Sequence, residues 1–277
     1  MSTEPARATN PTDQFSPLVL IQRGKTVPFF CVHGAGGNVL NFRDIARRLG
    51  EDQSFYGLQA KGVDGAAPLE TIEEMADLYL PEIVKAHPTG PYLLGGYSGG
   101  GIVAYEMAQR LRREGRKVPM VVLLDTVCAG IKPLTPGSKS HLNGLKEEGA
   151  AYLQRRAKAR LIRFGEELRD RVKREFYTRQ GQPLPMELRD QVMTTAFWAA
   201  GQRYKPELYD GPVTLYRASE IAYVYSHAGG SLGWGPFAPK LDIIEVPGTH
   251  DSLVYEPNVT VMTSHLRATL RKAAASF

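Results

Sequence analysis

Ser98 lies in the pentapeptide Gly-Tyr-Ser-Gly-Gly, which matches the G-x-S-x-G pattern of a nucleophile elbow. The run Tyr92–Gly96 before it is predicted to be a strand, and a helix is predicted to begin near Gly100. In this context the sharp turn points the serine hydroxyl away from the sheet. A Cβ atom at Gly96 or Gly100 would crowd such a turn. The pattern therefore predicts Ser98 as a nucleophile, and the alternative is a flexible glycine-rich turn.

A serine hydroxyl needs a base to take its proton and an acid to orient that base. Behind a nucleophile elbow these partners follow in the order Ser, Asp or Glu, His. His250 comes just after the last predicted strand, in VPGTHDSL, so it would reach the same sheet edge as Ser98. We therefore predict His250 as the base. The other histidines after Ser98 fall in a helical segment, a loop and the C-terminal helix: His141, His227 and His265.

Asp125 is the predicted acid, because it ends the strand VVLLD after the helix that follows Ser98. A carboxylate at the end of an otherwise apolar strand is costly unless it is paired. Glu220 ends a later strand, VTLYRASE, and is the alternative acid. Asp251, beside His250, is predicted to be a surface or capping residue.

Two backbone N–H groups are expected to form an oxyanion hole, which binds the charge that develops on the attacked carbonyl oxygen. One belongs to the residue after the nucleophile, Gly99, and the other to the glycine-rich turn HGAGG. Ala35 is the candidate in that turn, with Gly34 as the alternative. His33 is predicted to hold the turn by a hydrogen bond.

The elements around these residues alternate between strands and helices, which favours an α/β fold with a mostly parallel sheet flanked by helices. Residues 131–207 contain no clear strand and are predicted to be an inserted helical lid. The α/β core would then comprise residues 16–130 and 208–277. Residues 1–15 are polar and are predicted to be a disordered lead or linker.

The composition excludes several classes of protein. No stretch has the roughly 18 apolar residues that span a membrane, and no signal-peptide pattern opens the chain. We therefore expect a cytoplasmic protein that binds neither membrane nor nucleic acid. Cys31 and Cys128 lack the spacing of metal ligands, so we expect reduced, buried thiols and no metal. The glycine-rich runs lack the lysine of a phosphate-binding loop, which argues against nucleotide binding.

Five segments together resemble the thioesterase domains that end non-ribosomal peptide and polyketide synthases. They are VPFFCVHGAGGNVLNF, FYGLQAKGVDG, GPYLLGGYSGGGIVAYEMAQRL, VVLLDT and VPGTHDSL. The resemblance begins near Ser16, extends over nearly the whole chain and is weakest in the lid. It implies an α/β-hydrolase fold, and it favours Asp125 over Glu220, because in that family the acid follows the strand after the nucleophile's helix.

The resemblance also implies a substrate, namely an acyl or peptidyl chain on the phosphopantetheine arm of a carrier protein. Ser98 would form an acyl-enzyme, which water or a nucleophile within the chain would release, by hydrolysis or macrocyclisation. The protein would need no cofactor of its own. Carrier proteins are usually acidic, and Lys139–Arg179 holds twelve Lys and Arg against six Asp and Glu. This basic segment is either a docking surface or an ordinary solvated helix face.

Three aromatic residues of the lid, Phe197, Trp198 and Tyr204, are predicted to line the acyl tunnel together with Met193; the alternative is packing of the lid on the core. The pair Tyr97–Ser98 is more typical of chain-terminating thioesterases than of free-standing editing thioesterases. Three other functions stay open: an esterase or lipase acting on a free ester, an editing thioesterase, and a catalytically silent interaction domain.

Overall fold

A computed structural model of the chain describes residues 15–134, 149–180, 182 and 184–276. Within these residues, one seven-stranded sheet has the order β1-β3-β2-β4-β5-β6-β7. Its strands are β1 (Leu18–Gln22), β2 (Phe29–Val32), β3 (Phe55–Leu58), β4 (Leu93–Tyr97), β5 (Met120–Leu124), β6 (Val213–Glu220) and β7 (Leu241–Thr249). Only β1 runs antiparallel to its neighbour, and the other pairs are parallel.

The helices alternate with these strands. They are α1 (Phe42–Leu49), α2 (Ile72–Ala86), α3 (Gly100–Arg113), α4 (Ala150–Arg179), α5 (Met186–Arg203) and α6 (Asn258–Ala275), and a 3-10 helix spans Tyr223–Ala228. Helix α2 begins with a capping box, in which the Thr71 hydroxyl accepts from the Glu74 N–H and the Glu74 carboxylate accepts from the Thr71 N–H. These bonds satisfy N–H groups that the first turn of a helix leaves free.

Two hydrophobic cores lie on opposite faces of the sheet. Phe30 points towards the core formed with α2 and α3, and its neighbour Phe29 towards the core formed with α1 and α6. All residues of β2, β4 and β5 are buried. Burial on both faces explains why these strands are continuous apolar runs rather than alternating ones. The predicted mostly parallel sheet with flanking helices is confirmed.

Helices α4 and α5 lie between β5 and β6, in the segment predicted as a lid. The boundaries 131–207 of that lid stay a prediction. The predicted lead, apart from Phe15, lies outside the described residues, as do residues 135–148 with His141. Strand β4 continues one residue further than predicted, because Tyr97 still pairs with Leu124 of β5. Among the helices described, none combines the length and the apolar character that crossing a membrane requires.

We expect Gly96→Ala to lower the free energy of unfolding by roughly 1–3 kcal/mol, as overpacking does in a filled interior. A Cβ atom at Gly96 would lie 2.2 Å from the carbonyl atoms of Gly100, where backbone cannot give way. Urea denaturation followed by circular dichroism measures the change. Gly165→Ala in α4 is the control: a Cβ there meets no described atom within 4 Å. Equal midpoints for wild type and Gly96→Ala would contradict the close approach.

Candidate active site

Ser98 occupies the turn between β4 and α3 with a φ of 55°, in the left-handed region that residues other than glycine rarely adopt. Its N–H donates to the carbonyl of Leu124 at 2.8 Å, which ties the turn to the neighbouring strand. A Cβ atom at Gly100 would lie 2.1 Å from the carbonyl oxygen of His33. The glycine therefore lets α3 start directly against β2, and the strain at Ser98 is of the kind found at functional sites.

The structure brings Ser98, His250 and Asp125 together in one chain of hydrogen bonds. The imidazole Nε2 of His250 is 2.9 Å from Ser98 Oγ, and its Nδ1 is 2.7 Å from Asp125 Oδ2. The other carboxylate oxygen accepts from the Ala218 N–H at 2.8 Å. Because a carboxylate only accepts, Nδ1 carries the proton and Nε2 accepts from the Ser98 hydroxyl. This tautomer is the one that a general base at Nε2 requires.

The sheet order explains how residues so distant in sequence meet. Ser98 follows β4, Asp125 follows β5 and His250 follows β7, and the carboxyl ends of parallel strands share one edge. His250 bonds to Asp125 rather than to the alternative acid Glu220, which is exposed at the end of β6. Two other histidines lie apart from this group. His227 is exposed on the 3-10 helix, and His265 bonds to the Tyr216 hydroxyl.

Tyr97 supports His250 in a way that sequence reasoning missed. Its ring stacks on the imidazole, with centroids 5.2 Å apart and planes inclined by 19°, and its hydroxyl donates to the His250 carbonyl at 3.0 Å. Burial, with the nearby charges of Asp251 and Asp125, raises the pKa of Tyr97 well above its ordinary value, so the hydroxyl keeps its proton. The only signal in the sequence is the position of Tyr97 directly before Ser98.

The N–H groups of Ala35 and Gly99 donate no hydrogen bond to another residue that the structure describes, and both residues line the cavity beside Ser98. His33 holds the turn that contains Ala35. Its Nδ1 lies 2.5 Å from the Gly34 carbonyl oxygen, and its Nε2 lies 2.8 Å from the Tyr79 hydroxyl. Because a carbonyl only accepts, Nδ1 carries the proton and Tyr79 donates to Nε2.

A cavity of about 280 Å³ opens beside Ser98. Phe197 and Trp198 of α5 line it, as the sequence predicts, and Phe197 packs so closely that a Cβ atom at Gly99 would lie 2.2 Å from its ring. Tyr204 is not among the described lining residues: it is buried at the end of α5, where its hydroxyl donates to the Glu106 carboxylate at 2.6 Å. Met193 packs against Gly37 and Gly62 instead. Between β6 and β7, sequence reasoning missed four lining residues: Ile221, Ala222, Tyr225 and Leu232.

A family model described as a thioesterase domain matches residues 27–147. The resemblance to thioesterase domains is thereby confirmed. The chain is 27% identical to malpibaldin synthetase and 28% identical to malpinin synthetase, both of Mortierella alpina, over 87% and 94% of its length. It spans only 4% and 3% of those two synthetases.

Solved structures of a non-ribosomal peptide synthetase and of a thioesterase domain share the fold. A four-domain non-ribosomal peptide synthetase bound to AMP and glycine matches with a TM-score of 0.67 and 26% identity, over 92% of this chain and 20% of that one. The NocB thioesterase domain, in covalent complex with a fluorophosphonate nocardicin G analog, matches with a TM-score of 0.61 and 24% identity, over 88% and 94%. The predicted α/β-hydrolase fold is confirmed, and the shared fold together with the thioesterase-domain match over residues 27–147 supports a hydrolase.

We expect the thioesterase fold to lose stability as the pH falls from about 6.5 towards 4, because His33 is buried uncharged. Burial lowers the pKa of His33 from 6.5 to about 4. In that window the unfolded chain binds a proton that the folded protein does not, so acid favours unfolding; above the window the stability from His33 is fully present. Urea midpoints measured between pH 7.5 and 4.5 should fall less steeply for His33→Gln than for the wild type.

The control is His227→Gln, which removes an exposed histidine and should retain the wild-type pH dependence. If His33→Gln does not fold, the ring protons of His33 in the wild type provide a second measurement by NMR. Titration of that ring near pH 6.5 would contradict the assignment.

Proposed function

We propose that this protein is a thioesterase that releases an acyl or peptidyl chain from the phosphopantetheine arm of a carrier protein, through an acyl-enzyme on Ser98. The observation that supports it most directly is the hydrogen-bond chain from Asp125 through His250 to Ser98. These hydrogen bonds lie at the turn after β4, where Ser98 has a positive φ, in a fold that thioesterase domains share.

In acylation, His250 Nε2 takes the Ser98 proton while Oγ attacks the thioester carbonyl. Asp125 accepts the Nδ1–H bond throughout and stabilises the imidazolium that forms. The N–H groups of Gly99 and Ala35 bind the oxyanion of the tetrahedral intermediate. When that intermediate collapses, the C–S bond breaks and the leaving thiolate takes the proton from His250 Nε2. The products are the Ser98 ester and a free phosphopantetheine thiol.

In deacylation the same residues act on a second nucleophile, which is water in hydrolysis or a hydroxyl or amine of the chain itself in cyclisation. His250 takes the proton of this second nucleophile while the nucleophile attacks the ester carbonyl. His250 then gives that proton to Ser98 Oγ as the C–O bond of the ester breaks. Free enzyme and released acid, lactone or lactam are the products.

The partner that we propose is an acidic carrier domain. Helix α4 exposes several cations of the basic segment: Lys158, Arg169, Arg171, Lys173 and Arg179. Complementary charge would steer the carrier towards this helix, mainly by increasing the association rate. The lid boundaries and the cytoplasmic location stay predictions.

An esterase acting on a free ester is the second candidate, because a serine hydroxyl bonded to His250, which bonds to Asp125, can attack an oxygen ester by the same steps. One comparison of hydrolysis rates distinguishes the thioesterase from the esterase. The N-acetylcysteamine thioester of an acyl group should be hydrolysed faster than the ethyl ester of the same group, and a preference for the ethyl ester would favour the esterase.

We expect a fluorophosphonate probe to label the wild type on Ser98 and to leave Ser98→Ala unlabelled. The reason is that only a serine paired with a base is nucleophilic enough to attack phosphorus. Intact-protein mass spectrometry followed by peptide mapping measures the adduct. Ser264→Ala, which alters an exposed serine of α6, is the control and should label fully. Equal labelling of Ser98→Ala would leave the silent interaction domain as the better description.

We expect Asp125→Asn to lower kcat about 10⁴-fold, because the amide would favour the wrong imidazole tautomer. Glu220→Gln, the matched change at the alternative acid, should leave kcat within a factor of about two, since surface substitutions away from the site are nearly neutral. Steady-state hydrolysis of an N-acetylcysteamine thioester measures both, with circular dichroism as the check of folding. A larger loss of kcat in Glu220→Gln than in Asp125→Asn would identify Glu220 as the acid.

A further inference from the structure

The inner wall of the cavity beside Ser98 is formed by apolar side chains. Ile102, Cys128, Phe197 and Leu232 are each at most 6% exposed and contribute no charge. Burial raises the pKa of the Cys128 thiol to about 12, so this side chain stays neutral. Below the mouth of the cavity, the described lining therefore resembles a hydrophobic core.

The described lining has three acidic or imidazole side chains. They are Asp125 and His250, which bond to each other, and the exposed Asp251. Among the described lining residues there is no lysine or arginine. An acyl chain that ends in a carboxylate would lose its hydration and find no lysine or arginine there. One that ends in an ammonium would find only Asp125, which already bonds to His250, and the exposed Asp251.

The cavity is also small. Its volume of about 280 Å³ lies just below the roughly 300–1,000 Å³ typical of small-molecule sites. On one side, the Gln202 amide donates to the Ile131 carbonyl at 3.2 Å and joins α5 to the segment after β5. A short acyl or aryl group fits such a space, whereas a long chain requires the wall to open.

Trp198 of α5 is the candidate among the lining residues for a limit on length, because it is 45% exposed and its neighbour Phe197 is buried. Its ring lies nearly parallel to that of Tyr225, at an interplanar angle of 7° and a centroid distance of 6.3 Å, so α5 and the 3-10 helix approach each other there. Trp198 also lines a second, more open cavity, whose other lining residues include Asn38, Tyr97 and Tyr255. Trp198 therefore lies at the boundary of two cavities, both of which Ser98 also lines.

We propose that the apolar cavity accepts a short, uncharged, apolar acyl group, and that Trp198, braced by Tyr225, sets its upper length. The inference rests on the proposed function and specifies the substrate class of the same site. It assigns Trp198 and Tyr225 to specificity rather than to the chemical step.

The test uses N-acetylcysteamine thioesters of four acyl groups: hexanoyl, dodecanoyl, adipoyl and aminohexanoyl. The hexanoyl, adipoyl and aminohexanoyl groups have similar lengths and differ in charge. We expect kcat/KM for hexanoyl to exceed that for each of the other three about tenfold or more, because burying an unpaired charge or an oversized chain is costly. An adipoyl or aminohexanoyl rate equal to the hexanoyl rate would overturn the proposed substrate class.

Trp198→Ala and Tyr225→Ala should each raise the dodecanoyl-to-hexanoyl ratio about tenfold, the scale expected when a pocket gains room for a few methylenes. Tyr225→Phe keeps the ring and should retain the wild-type ratio. Met186→Ala, an exposed change on the same helix, is the control. Unchanged ratios in both alanine variants would overturn the length limit.

Fluorophosphonate labelling of Ser98 distinguishes the two failures. If Ser98 is labelled and the thioesters are hydrolysed without the expected selectivity, only the substrate class is wrong. If Ser98 is not labelled, or if it is labelled and no thioester acylates it, the proposed thioesterase activity fails and the inference with it.

Discussion

The close packing of backbone against backbone at the turn after β4 is the constraint on which the site depends. Gly96 and Gly100 approach each other and the carbonyl of His33 within distances that admit no Cβ atom. This packing holds Ser98 at a positive φ and presents its hydroxyl at the sheet edge. The backbone strain at Ser98 is small compared with the free energy gained by burying two hydrophobic cores, so the fold can maintain it.

The same packing joins Ser98 to the turn that contains Ala35. Helix α3 begins against the carbonyl of His33, and the imidazole of His33 bonds to Gly34 and to Tyr79 of α2. The two candidate oxyanion donors are therefore set by one packed unit instead of by two independent loops. Donors fixed in advance need no reorganisation as charge develops, which is the main advantage of a preorganised site.

The parts of the site that follow strand ends could be predicted from the sequence, because a parallel sheet brings its carboxyl ends to one edge. Ser98, Asp125 and His250 are of this kind. Tyr97 and Tyr225 could not be predicted in the same way. Tyr97 acts by stacking on a residue far along the chain, and Tyr225 lies on a short 3-10 helix with no periodic pattern. Tyr204 is predicted to line the tunnel but bonds to Glu106 instead. Helical spacing of an aromatic residue does not indicate which neighbour it will contact.

The position of Tyr204 links α5 to the helix that follows Ser98. Its hydroxyl donates to Glu106 of α3, whose carboxylate also accepts from Arg110, and Gln109 donates to the Tyr204 hydroxyl. This buried network fixes the end of α5 to the helix that begins just after Ser98. Phe197 and Trp198 lie about two turns from that attachment, at 3.6 residues a turn. Because a bonded, buried network resists displacement, this attachment holds the C-terminal part of α5 in place and keeps Phe197 against Gly99.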